Sequence, residues 1–458
     1  MDSYADVSYW LETAGDVSPR PALDESIHAD VAILGAGYTG LWTAYELLRR
    51  DPSLNVAIVE REIAGYGASG RNGGWCTSDT GASLRLLTRR FGPDRARAVQ
   101  TAMYDAVDEV GGVAEREKID AEYRKGGLLF VARGEGQVPA LHETFEDYAH
   151  AGFADRYQML DASQLSERVR VQDGLAAIYT PECAVVHPGK LARGLATVVE
   201  RHGARIYEQT AVTGYQPGRE PTLRTAHGDV RASTVVLAGE AYLSQLRPLH
   251  RALLPVYSLI VLTEPLTEAQ WGNIGWRQHE CMASMRLTVD YLSRTVDGRI
   301  LVGGRGAPYA YGSAMRDEMS RHAPTHAMLR DMLTDWFPSL KGVRFTHAWG
   351  GAVGVPRDFI PSIYYEPATG VAAAHGYTGH GVAFANLAGR ILAELITGQR
   401  SELSKLPFVG HHSPKWEPEP LRWIGVRGVQ AGLSRVDARR SRARRPTRKT
   451  LVERIAQH

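Results

Sequence analysis

The pattern of apolar residues predicts a strand, a helix and a second strand near the start of the chain. Residues 31–34 form a short apolar run that is typical of a buried parallel strand. Apolar side chains then recur at helical spacing from 41 to 48, and the segment breaks at Pro52. Residues 56–59 form a second apolar run, which ends at Glu60. We therefore expect a βαβ unit here.

The remaining pattern alternates between helical and strand periods. A predicted helix at 94–115 carries an apolar stripe, and residues 256–304 show the alternation of antiparallel strands. Another strand, glycine turn and helix follow at 370–395. The other predicted elements are a hairpin at 122–132, helices at 136–169, 189–202 and 316–337, and strands at 175–187, 204–211, 230–238 and 346–354. This order predicts the α/β class, with an antiparallel sheet inserted between parts of a parallel α/β domain.

Three glycines join the first predicted strand to its helix with the spacing G-x-G-x-x-G. Gly35 permits a tight turn, Gly37 lets a pyrophosphate approach the backbone, and Gly40 allows close packing of the helix on the strand. Glu60 follows the second strand, where a carboxylate accepts hydrogen bonds from an adenosine ribose. These features predict a dinucleotide site. The acid argues against NADP, although Arg61 beside it leaves that point open.

Composition and charge narrow the class of protein. The chain has 458 residues, enough for two or three domains, and a net charge of +2 at pH 7, which gives no overall attraction to nucleic acid or anionic membranes. Its three cysteines are far apart and predict neither a disulfide framework nor a metal cluster. The N-terminus has no signal-peptide core, and no run is long enough for a membrane span. We expect a cytoplasmic protein without a metal site or nucleic-acid partner.

Two further glycine-rich stretches extend the predicted site. Residues 65–74 (GYGASGRNGG) directly follow the ribose-binding acid, so their amides are expected to face the same nucleotide; a flexible surface loop is the alternative. At 370–395 a second helix starts after Gly376, Gly379 and Gly381. Its positive end would stabilise a ligand that becomes anionic, as flavin does on reduction and nicotinamide does not.

These stretches resemble the flavoprotein superfamily of D-amino-acid oxidase, glycine oxidase and sarcosine oxidase. The motifs GASGRNGG, VVLAGEAY and AWGG...RDFIP...HGYTGHGV occur in the order of that family. The lead-in SYWLETA, the helix GYTGLWTAYEL and the segment PEPLRWIG are most similar to its gamma-glutamylputrescine oxidase-like branch. The resemblance implies FAD as cofactor, and a discontinuous Rossmann-like FAD-binding domain with an inserted antiparallel-sheet substrate domain.

The same resemblance implies domain boundaries and FAD contacts. The boundaries are a lead-in at 1–27, an FAD-binding domain at 28–84, 186–247 and 345–408, a substrate domain at 85–185 and 248–344, and a C-terminal strap and basic tail at 409–458. The implied FAD contacts are Gly35, Gly37, Tyr38, Thr39 and Gly40 near the pyrophosphate, Glu60 and Arg61 near the ribose, Ala68, Ser69, Arg71, Asn72, Gly73 and Gly74 along the phosphates and flavin edge, Val212 by the adenine, Gly239 near the crevice, and Gly379, His380, Gly381 and Val382 beside the isoalloxazine.

The sequence also departs from the family pattern. Sarcosine oxidases place a lysine above the flavin to promote its reaction with dioxygen, whereas this chain has no lysine between Lys190 and Lys341. Some relatives attach flavin covalently through a cysteine, yet no cysteine lies near the last glycine turn, and Cys76 is expected to be a small buried thiol. We expect noncovalent FAD, and an oxidase rather than a dehydrogenase.

Four residues are candidates for substrate binding and catalysis. His380 either acts beside the flavin or only bonds to the backbone. Arg305, after a sheet strand, would bind a substrate carboxylate or form a structural salt bridge. Tyr257 and Tyr291 would line an amine pocket, although aromatic residues in strands are more often core. Arg294 and Trp349 would likewise line the amine pocket, with a place in the core as the alternative.

The resemblance implies oxidation of the carbon–nitrogen bond of a small amine or amino acid, gamma-glutamylputrescine-like or N-alkylated. Hydride transfer to flavin N5 would give an imine, which water hydrolyses to an aldehyde or keto product, and dioxygen would reoxidise the flavin with formation of H2O2. Such chemistry requires a neutral amine held in a dry pocket. A dehydrogenase with another electron acceptor, a flavin monooxygenase and a non-catalytic flavoprotein subunit stay open as alternatives.

The C-terminal segment has a composition of its own. Residues 411–426 are rich in Pro and Trp and predict an extended strap over the body of the protein. Residues 435–449 carry eight basic residues and one acid. They predict a solvated, partly disordered tail, or else a contact with a polyanion or an acidic subunit.

Overall fold

The strands and helices follow the apolar pattern over most of the chain. The structure, a computed structural model, describes residues 3–442. Its strands are β1 (Ile27–Leu34), β2 (Val56–Val59), β3 (Trp75–Thr77), β4 (Leu128–Arg133), β5 (Gln158–Asp161), β6 (Gly174–Thr180), β7 (Cys183–Val185), β8 (Arg205–Tyr207), β9 (Gly214–Gln216), β10 (Thr222–Arg224), β11 (Asp229–Leu237), β12 (Leu254–Thr263), β13 (Cys281–Ser284), β14 (Asp290–Arg294), β15 (Ile300–Arg305), β16 (Phe345–Val355), β17 (Ser362–Glu366) and β18 (Val371–His375). Its helices are α1 (Tyr9–Glu12), α2 (Tyr38–Arg50), α3 (Leu84–Phe91), α4 (Pro93–Arg116), α5 (Val138–His150), α6 (Ala162–Arg168), α7 (Pro188–Arg201), α8 (Glu268–Ile274), α9 (Ala323–Trp336), α10 (Gly381–Thr397) and α11 (Leu421–Arg442). No helix within 3–442 is both long and apolar enough to span a bilayer.

The first sheet contains the predicted βαβ unit. β1 lies between β2 and β11 and pairs with both in parallel, so that Leu34 stands opposite Val59 and Leu237. The sheet order is β17-β18-β11-β1-β2-β8, with β10 and β9 joined beside β11. The ends of the central strands are buried and apolar, as is usual for parallel strands covered on both faces. Their carboxyl ends meet at one edge, which is where ligands bind in such sheets.

Helices α2 and α10 both begin at this edge and pack against each other. A Cβ atom on Gly389 of α10 would lie 2.7 Å from the backbone carbon of Trp42 in α2, so only glycine permits the contact. A Cβ atom on Gly40 would overlap the carbonyl oxygen of Gly35. Gly40 therefore has the packing role that its place in the motif predicts, and the two helix starts are held side by side.

The second sheet has the order β16-β12-β15-β14-β13-β4-β6-β5. It is antiparallel except for the parallel pair β13–β4, and the predicted α/β class with an added sheet is confirmed. Strands from both predicted substrate segments lie in it. β16, which the prediction grouped with the FAD-binding segment 345–408, instead pairs with β12 along almost its whole length. The local pattern of β16 could not reveal this, because its partner lies about ninety residues earlier in the chain.

Several local predictions were wrong. Residues 122–132 do not form a hairpin, since β4 is the strand there and its partners are β6 and β13. The region 136–169 contains the short strand β5 besides its helices. The strand expected at 204–211 is reduced to β8. In each case pairing with a distant strand decided the outcome.

The C-terminal segment ends in a helix rather than in an extended strap. Residues 411–420 lack regular structure, and Trp416 Nε1 donates a hydrogen bond of 2.8 Å to the carbonyl of Val355. The helix α11 then begins at Leu421, so the strap predicted at 411–426 is correct only in its first part. Residues 435–442 of the predicted basic tail continue this helix, and the rest of that tail lies outside the described residues.

Candidate functional site

A cavity of about 490 Å³ lies at the carboxyl edge of the first sheet. We call it the nucleotide cavity. The predicted FAD contacts that line it are Gly35, Gly37, Tyr38, Thr39, Glu60, Arg61, Ala68, Ser69, Asn72, Val212, Gly239, Gly379, Gly381 and Val382. The fold thus brings residues from both ends of the chain to one cavity, as the glycine patterns predict.

The start of α2 presents backbone N–H groups at this cavity. Its cap is Gly37, which has no side chain to bond the first-turn amides. The Tyr38 amide donates a hydrogen bond of 2.9 Å to Ser69 Oγ, and a Cβ atom on Gly37 would lie 3.1 Å from that oxygen. Glycine keeps this space open. An uncapped helix start is a favourable site for a phosphate group.

The start of α10 lines the same cavity. Gly379 adopts a φ of +95°, and the cap residue His380 makes no side-chain hydrogen bond to the helix. Gly379, Gly381 and Val382 all contribute to the cavity wall. The positive ends of two helix dipoles therefore act on one space, which favours an anionic ligand.

Glu60 and Arg61 lie where the ribose contact was expected. The Glu60 carboxylate accepts hydrogen bonds from the amides of Ala36 (2.9 Å) and Glu62 (3.0 Å). Burial raises the pKa of Glu60, and these two hydrogen bonds oppose that rise. Arg61 is half exposed, pairs with Glu62 at 3.2 Å and lies over the ring of Tyr242. Its guanidinium therefore already has partners within the protein.

Glu240 has a central place that the sequence analysis did not recognise. Its carboxylate accepts three backbone hydrogen bonds, from Gly354 (2.8 Å), Gly376 (2.9 Å) and Tyr377 (3.0 Å). Burial raises the pKa of Glu240, and the backbone donors oppose that rise. The residue lines the nucleotide cavity and links β16 of the second sheet to the last glycine turn. The available signal was its position directly after Gly239 at a strand end.

Five predicted FAD contacts do not line the nucleotide cavity: Gly40, Arg71, Gly73, Gly74 and His380. Gly40 packs on β1, and a Cβ atom on Gly74 would lie 2.7 Å from the carbonyl of Val186. Arg71 Nε donates to the carbonyl of Tyr66 at 2.8 Å, and its guanidinium lies over that ring. Arg71, Gly73 and His380 line an adjoining pocket instead.

That pocket, the inner pocket, has a volume of about 260 Å³ and lies between the two sheets. It is bounded by β12, β14 and β15, by the glycine loop and by the last glycine turn. The residues that line both it and the nucleotide cavity are Ala68, Asn72, Val353, Gly379 and Val382. A ligand held in the nucleotide cavity would therefore meet a second ligand in the inner pocket across this shared wall.

Arg305 and His380 both line the inner pocket. Arg305 Nη2 donates to the Thr378 carbonyl at 2.8 Å, and among the described residues no acidic side chain is paired with it. Burial lowers the pKa of Arg305. Burial also lowers the pKa of His380, with Arg305 adding to the shift and Asp79 opposing it. The Nδ1 atom of His380 is buried without a hydrogen-bond partner within residues 3–442.

Tyr291 lines the inner pocket. Its hydroxyl lies 3.0 Å from Ser258 Oγ, and burial raises its pKa to about 12. Cβ atoms on Gly73 and Gly303 would overlap its ring, so two glycines from distant segments make room for it. Gly73 thus leaves the space that the Tyr291 ring occupies.

Tyr257 does not reach the pocket. Its hydroxyl donates to the Arg316 carbonyl (3.2 Å) and accepts from the Arg316 amide (3.0 Å) in the core beneath the sheet. The prediction chose the wrong face of β12, because the neighbouring Ser258 is the residue that lines the pocket. Arg294 lies over the Trp271 ring outside the pocket, and the buried Trp349 instead bonds the Arg71 carbonyl of the glycine loop at 3.0 Å.

The inner pocket contains polar residues that the sequence analysis missed. Asp79 lies on the chain after β3, and Arg286 and Asp290 lie at the junction of β13 and β14. Asp290 is buried and accepts hydrogen bonds from Ser284 and Trp336. No local motif marks these residues, since two segments about 200 residues apart bring them together.

The residues of the nucleotide cavity fit FAD. The start of α2 suits a pyrophosphate, and the start of α10 suits a ligand group that becomes anionic. The acid after β2 suits a ribose, and the shared wall ends beside a pocket large enough for a small substrate. Cys76 lies in neither cavity wall and is fully buried.

Comparison with known proteins agrees with this geometry. The family model described as FAD dependent oxidoreductase (DAO) matches residues 30–395, which confirms the resemblance drawn from the motifs and FAD as the cofactor. Gamma-glutamylputrescine oxidoreductase of Escherichia coli is 31% identical over 88% of this chain and 92% of its own length. Among solved structures, glycine oxidase from Geobacillus kaustophilus superposes with a TM-score of 0.68 at 22% identity, covering 84% of this chain and 99% of that one. L-Proline dehydrogenase from P. horikoshii reaches 0.65 at 21% identity, covering 83% and 96%. The fold is thus shared by an oxidase and a dehydrogenase.

Proposed function

We propose that this chain, which belongs to the FAD-dependent oxidoreductase family, oxidises the carbon–nitrogen bond of a small amine or amino acid, with gamma-glutamylputrescine-like and N-alkyl amines as the first candidates. The observation that carries the proposal is the inner pocket, which shares five wall residues with the nucleotide cavity and is lined by Arg305 and His380. A substrate there would lie directly beside the cofactor. The imine product would be hydrolysed by water to an aldehyde or keto compound.

FAD, when bound, supplies N5 as the hydride acceptor and passes the electrons to dioxygen, giving H2O2. We assign its pyrophosphate to the backbone of Gly37, Tyr38 and Thr39, its ribose to Glu60 and its isoalloxazine to the region of Gly379.

Arg305 would hold an anionic group of the substrate. It is partly buried, and within residues 3–442 no acidic side chain pairs with it. Its Nη2 lies 3.5 Å from the position of a Cβ atom on Gly379 in the shared wall. A carboxylate bound there would be close to the reacting carbon, as in an amino acid. In gamma-glutamylputrescine the carboxylate is far from the reacting amine, so we assign the carboxylate of that substrate to Arg286, another arginine of the inner pocket.

His380 would receive the proton that the substrate ammonium must lose. Only a neutral amine has the lone pair that forms the carbon–nitrogen double bond when the hydride leaves. The imidazole of His380 lines the inner pocket, and its buried Nδ1 has no hydrogen-bond partner within residues 3–442, which supports this role.

The electron acceptor is the second part of the proposal. No lysine is among the residues that line either cavity, and the positive charges of the inner pocket come from Arg71, Arg286 and Arg305. We infer that these arginines provide the positive charge that favours electron transfer to dioxygen. A dehydrogenase with another acceptor would share every other feature of the site.

The test uses the purified, FAD-loaded full chain. It is mixed anaerobically with gamma-glutamylputrescine, putrescine, N-methyl amino acids and amino acids while the flavin absorption band is followed, and air is then readmitted with a peroxide assay. We expect bleaching by at least one amine and stoichiometric H2O2. Bleaching without peroxide would indicate a dehydrogenase, hydroxylation that requires NADPH would indicate a monooxygenase, and no bleaching with any amine would leave a non-catalytic flavoprotein.

A variant separates the two substrate classes. Arg305→Met removes the charge near the shared wall while keeping the length of the side chain. For an amino acid substrate we expect KM to rise at least tenfold, and for a substrate with a remote or absent carboxylate we expect little change. Tyr311→Phe, on an exposed loop residue, is the control. If Arg305→Met changed KM by the same factor for every substrate, the carboxylate contact would be excluded.

A further inference from the structure

The last helix, α11, reaches the loop that forms one side of the inner pocket. We call residues 285–289, between β13 and β14, the rim loop; Arg286 and Val289 of this loop line the inner pocket. The carboxylate of Asp437 in α11 accepts hydrogen bonds from the amides of Leu287 (2.9 Å) and Thr288 (2.8 Å) and from the Thr288 hydroxyl (2.5 Å).

Burial distinguishes Asp437 from the charged residues that flank it in α11. It is 4% exposed, whereas its basic neighbours Arg435 and Arg439 are exposed. It is also the one acid among the eight basic residues of 435–449. A buried carboxylate is costly unless hydrogen bonds satisfy it, so the three bonds from the rim loop are a strong coupling between helix and loop.

Asp437 also acts on the charge of the rim loop. Arg286 Nε lies 3.9 Å from Asp437 Oδ2, and the Arg286 side chain is about one-third exposed. This distance is too long for a hydrogen bond but short enough for attraction. The Asp437 carboxylate therefore attracts the Arg286 guanidinium, and the Arg286 side chain is also part of the pocket wall.

The first half of α11, and Glu419 just before it, form hydrogen bonds with the segment that follows Arg305. Glu419, just before the helix, accepts hydrogen bonds from Tyr309 Oη (2.8 Å) and the Gly312 amide (2.9 Å). Gln430 in the helix bonds the backbone of Ala307 and Tyr309, each at 3.4 Å. The helix thus links the loop before β14 to the segment after β15.

We propose that α11 sets the shape of the inner pocket and that Asp437 is a positioning residue, which holds the rim loop so that Arg286 and Val289 stay in the pocket wall. Asp437 touches neither cavity. The part of this inference that concerns substrate affinity rests on the proposed function; the part that concerns the loop does not.

The experiment measures amide hydrogen exchange by mass spectrometry on the FAD-loaded full chain and on Asp437→Asn. Exchange at Leu287 and Thr288 must accelerate in any case, because their acceptor is changed. The proposal requires at least tenfold faster exchange at Arg286 and Val289 as well, which do not bond to Asp437 through their amides. Arg435→Ala, an exposed change on the same helix, is the control and should leave all four amides unchanged. Acceleration confined to Leu287 and Thr288 would overturn the proposal.

Two further variants complete the test. Thr288→Val removes the hydroxyl bond alone and should give the same exchange pattern to a smaller extent, which keeps the proposal testable even if Asp437→Asn does not fold. With an amine that bleaches the flavin, Asp437→Asn should raise KM at least threefold and change kcat less than twofold, and Asp437→Glu should restore part of the loss. An unchanged KM would refute the role in the pocket. If no amine bleaches the wild-type flavin, the proposed function fails, and the exchange pattern alone decides the role of Asp437.

Discussion

Replacement of Glu240 by glutamine tests how the two sheets are joined at the cofactor edge. Oε1 of Glu240 accepts from Gly376 and Tyr377, and Oε2 accepts from Gly354. In Glu240→Gln one of these oxygens becomes an NH2 group, which would face a buried backbone N–H. At least one charge-assisted hydrogen bond is lost and one donor is left unsatisfied, at a cost of about 2 kcal/mol. Because the last glycine turn lines the nucleotide cavity, we expect this cost to appear in FAD binding.

The assay is a titration of the FAD-free protein with FAD, followed by the quenching of flavin fluorescence. A loss of about 2 kcal/mol corresponds to a Kd for FAD about 30-fold higher than in the wild type. Glu25→Gln, at an exposed position, is the matched control and should bind FAD normally. A folded Glu240→Gln protein whose Kd stays within twofold of the wild type would refute the reasoning.

Three further predictions concern glycines and a buried histidine. Gly37→Ala should raise the Kd for FAD at least tenfold, whereas Gly272→Ala, where a Cβ atom meets nothing within 4 Å, should not change it; equal effects in the same titration would contradict this. Gly303→Ala should lower the free energy of unfolding by about 1–3 kcal/mol in urea, since its methyl group would overlap the Tyr291 ring; no loss would mean that the ring moves freely. Burial and the charge of Lys190 lower the pKa of His187 from 6.5 to about 4. As the pH falls, His187 is protonated in the unfolded chain before it is protonated in the folded protein. The free energy of unfolding is therefore unaffected by His187 above pH 6.5 and decreases as the pH falls towards 4, by about 2 kcal/mol at pH 5. His187→Asn should remove that part of the pH dependence in urea unfolding at pH 7, 6 and 5, and an unchanged slope would count against it.

The cofactor could be predicted from the sequence because its contacts come from short segments. In the first βαβ unit, Gly35, Gly37 and Glu60 have roles fixed by the local order of strand, turn and helix. The start of α10 has the same local signature. Both helix starts line one cavity in the structure, whereas their contacts with FAD stay a prediction.

The substrate side depended on contacts that no local pattern contains. Whether Tyr257 or Ser258 faces the pocket is set by the pairing of β12 with β15 and β16, and a shift of one position exchanges the two faces of a strand. The basic character of residues 435–449 predicted a solvated tail, yet its one acid, Asp437, is buried against a loop about 150 residues earlier. The sequence determined the cofactor and the fold class, because both follow from short-range order. The tertiary structure alone decided the pocket, because its walls are side chains from strands and a helix that meet only when the chain is folded.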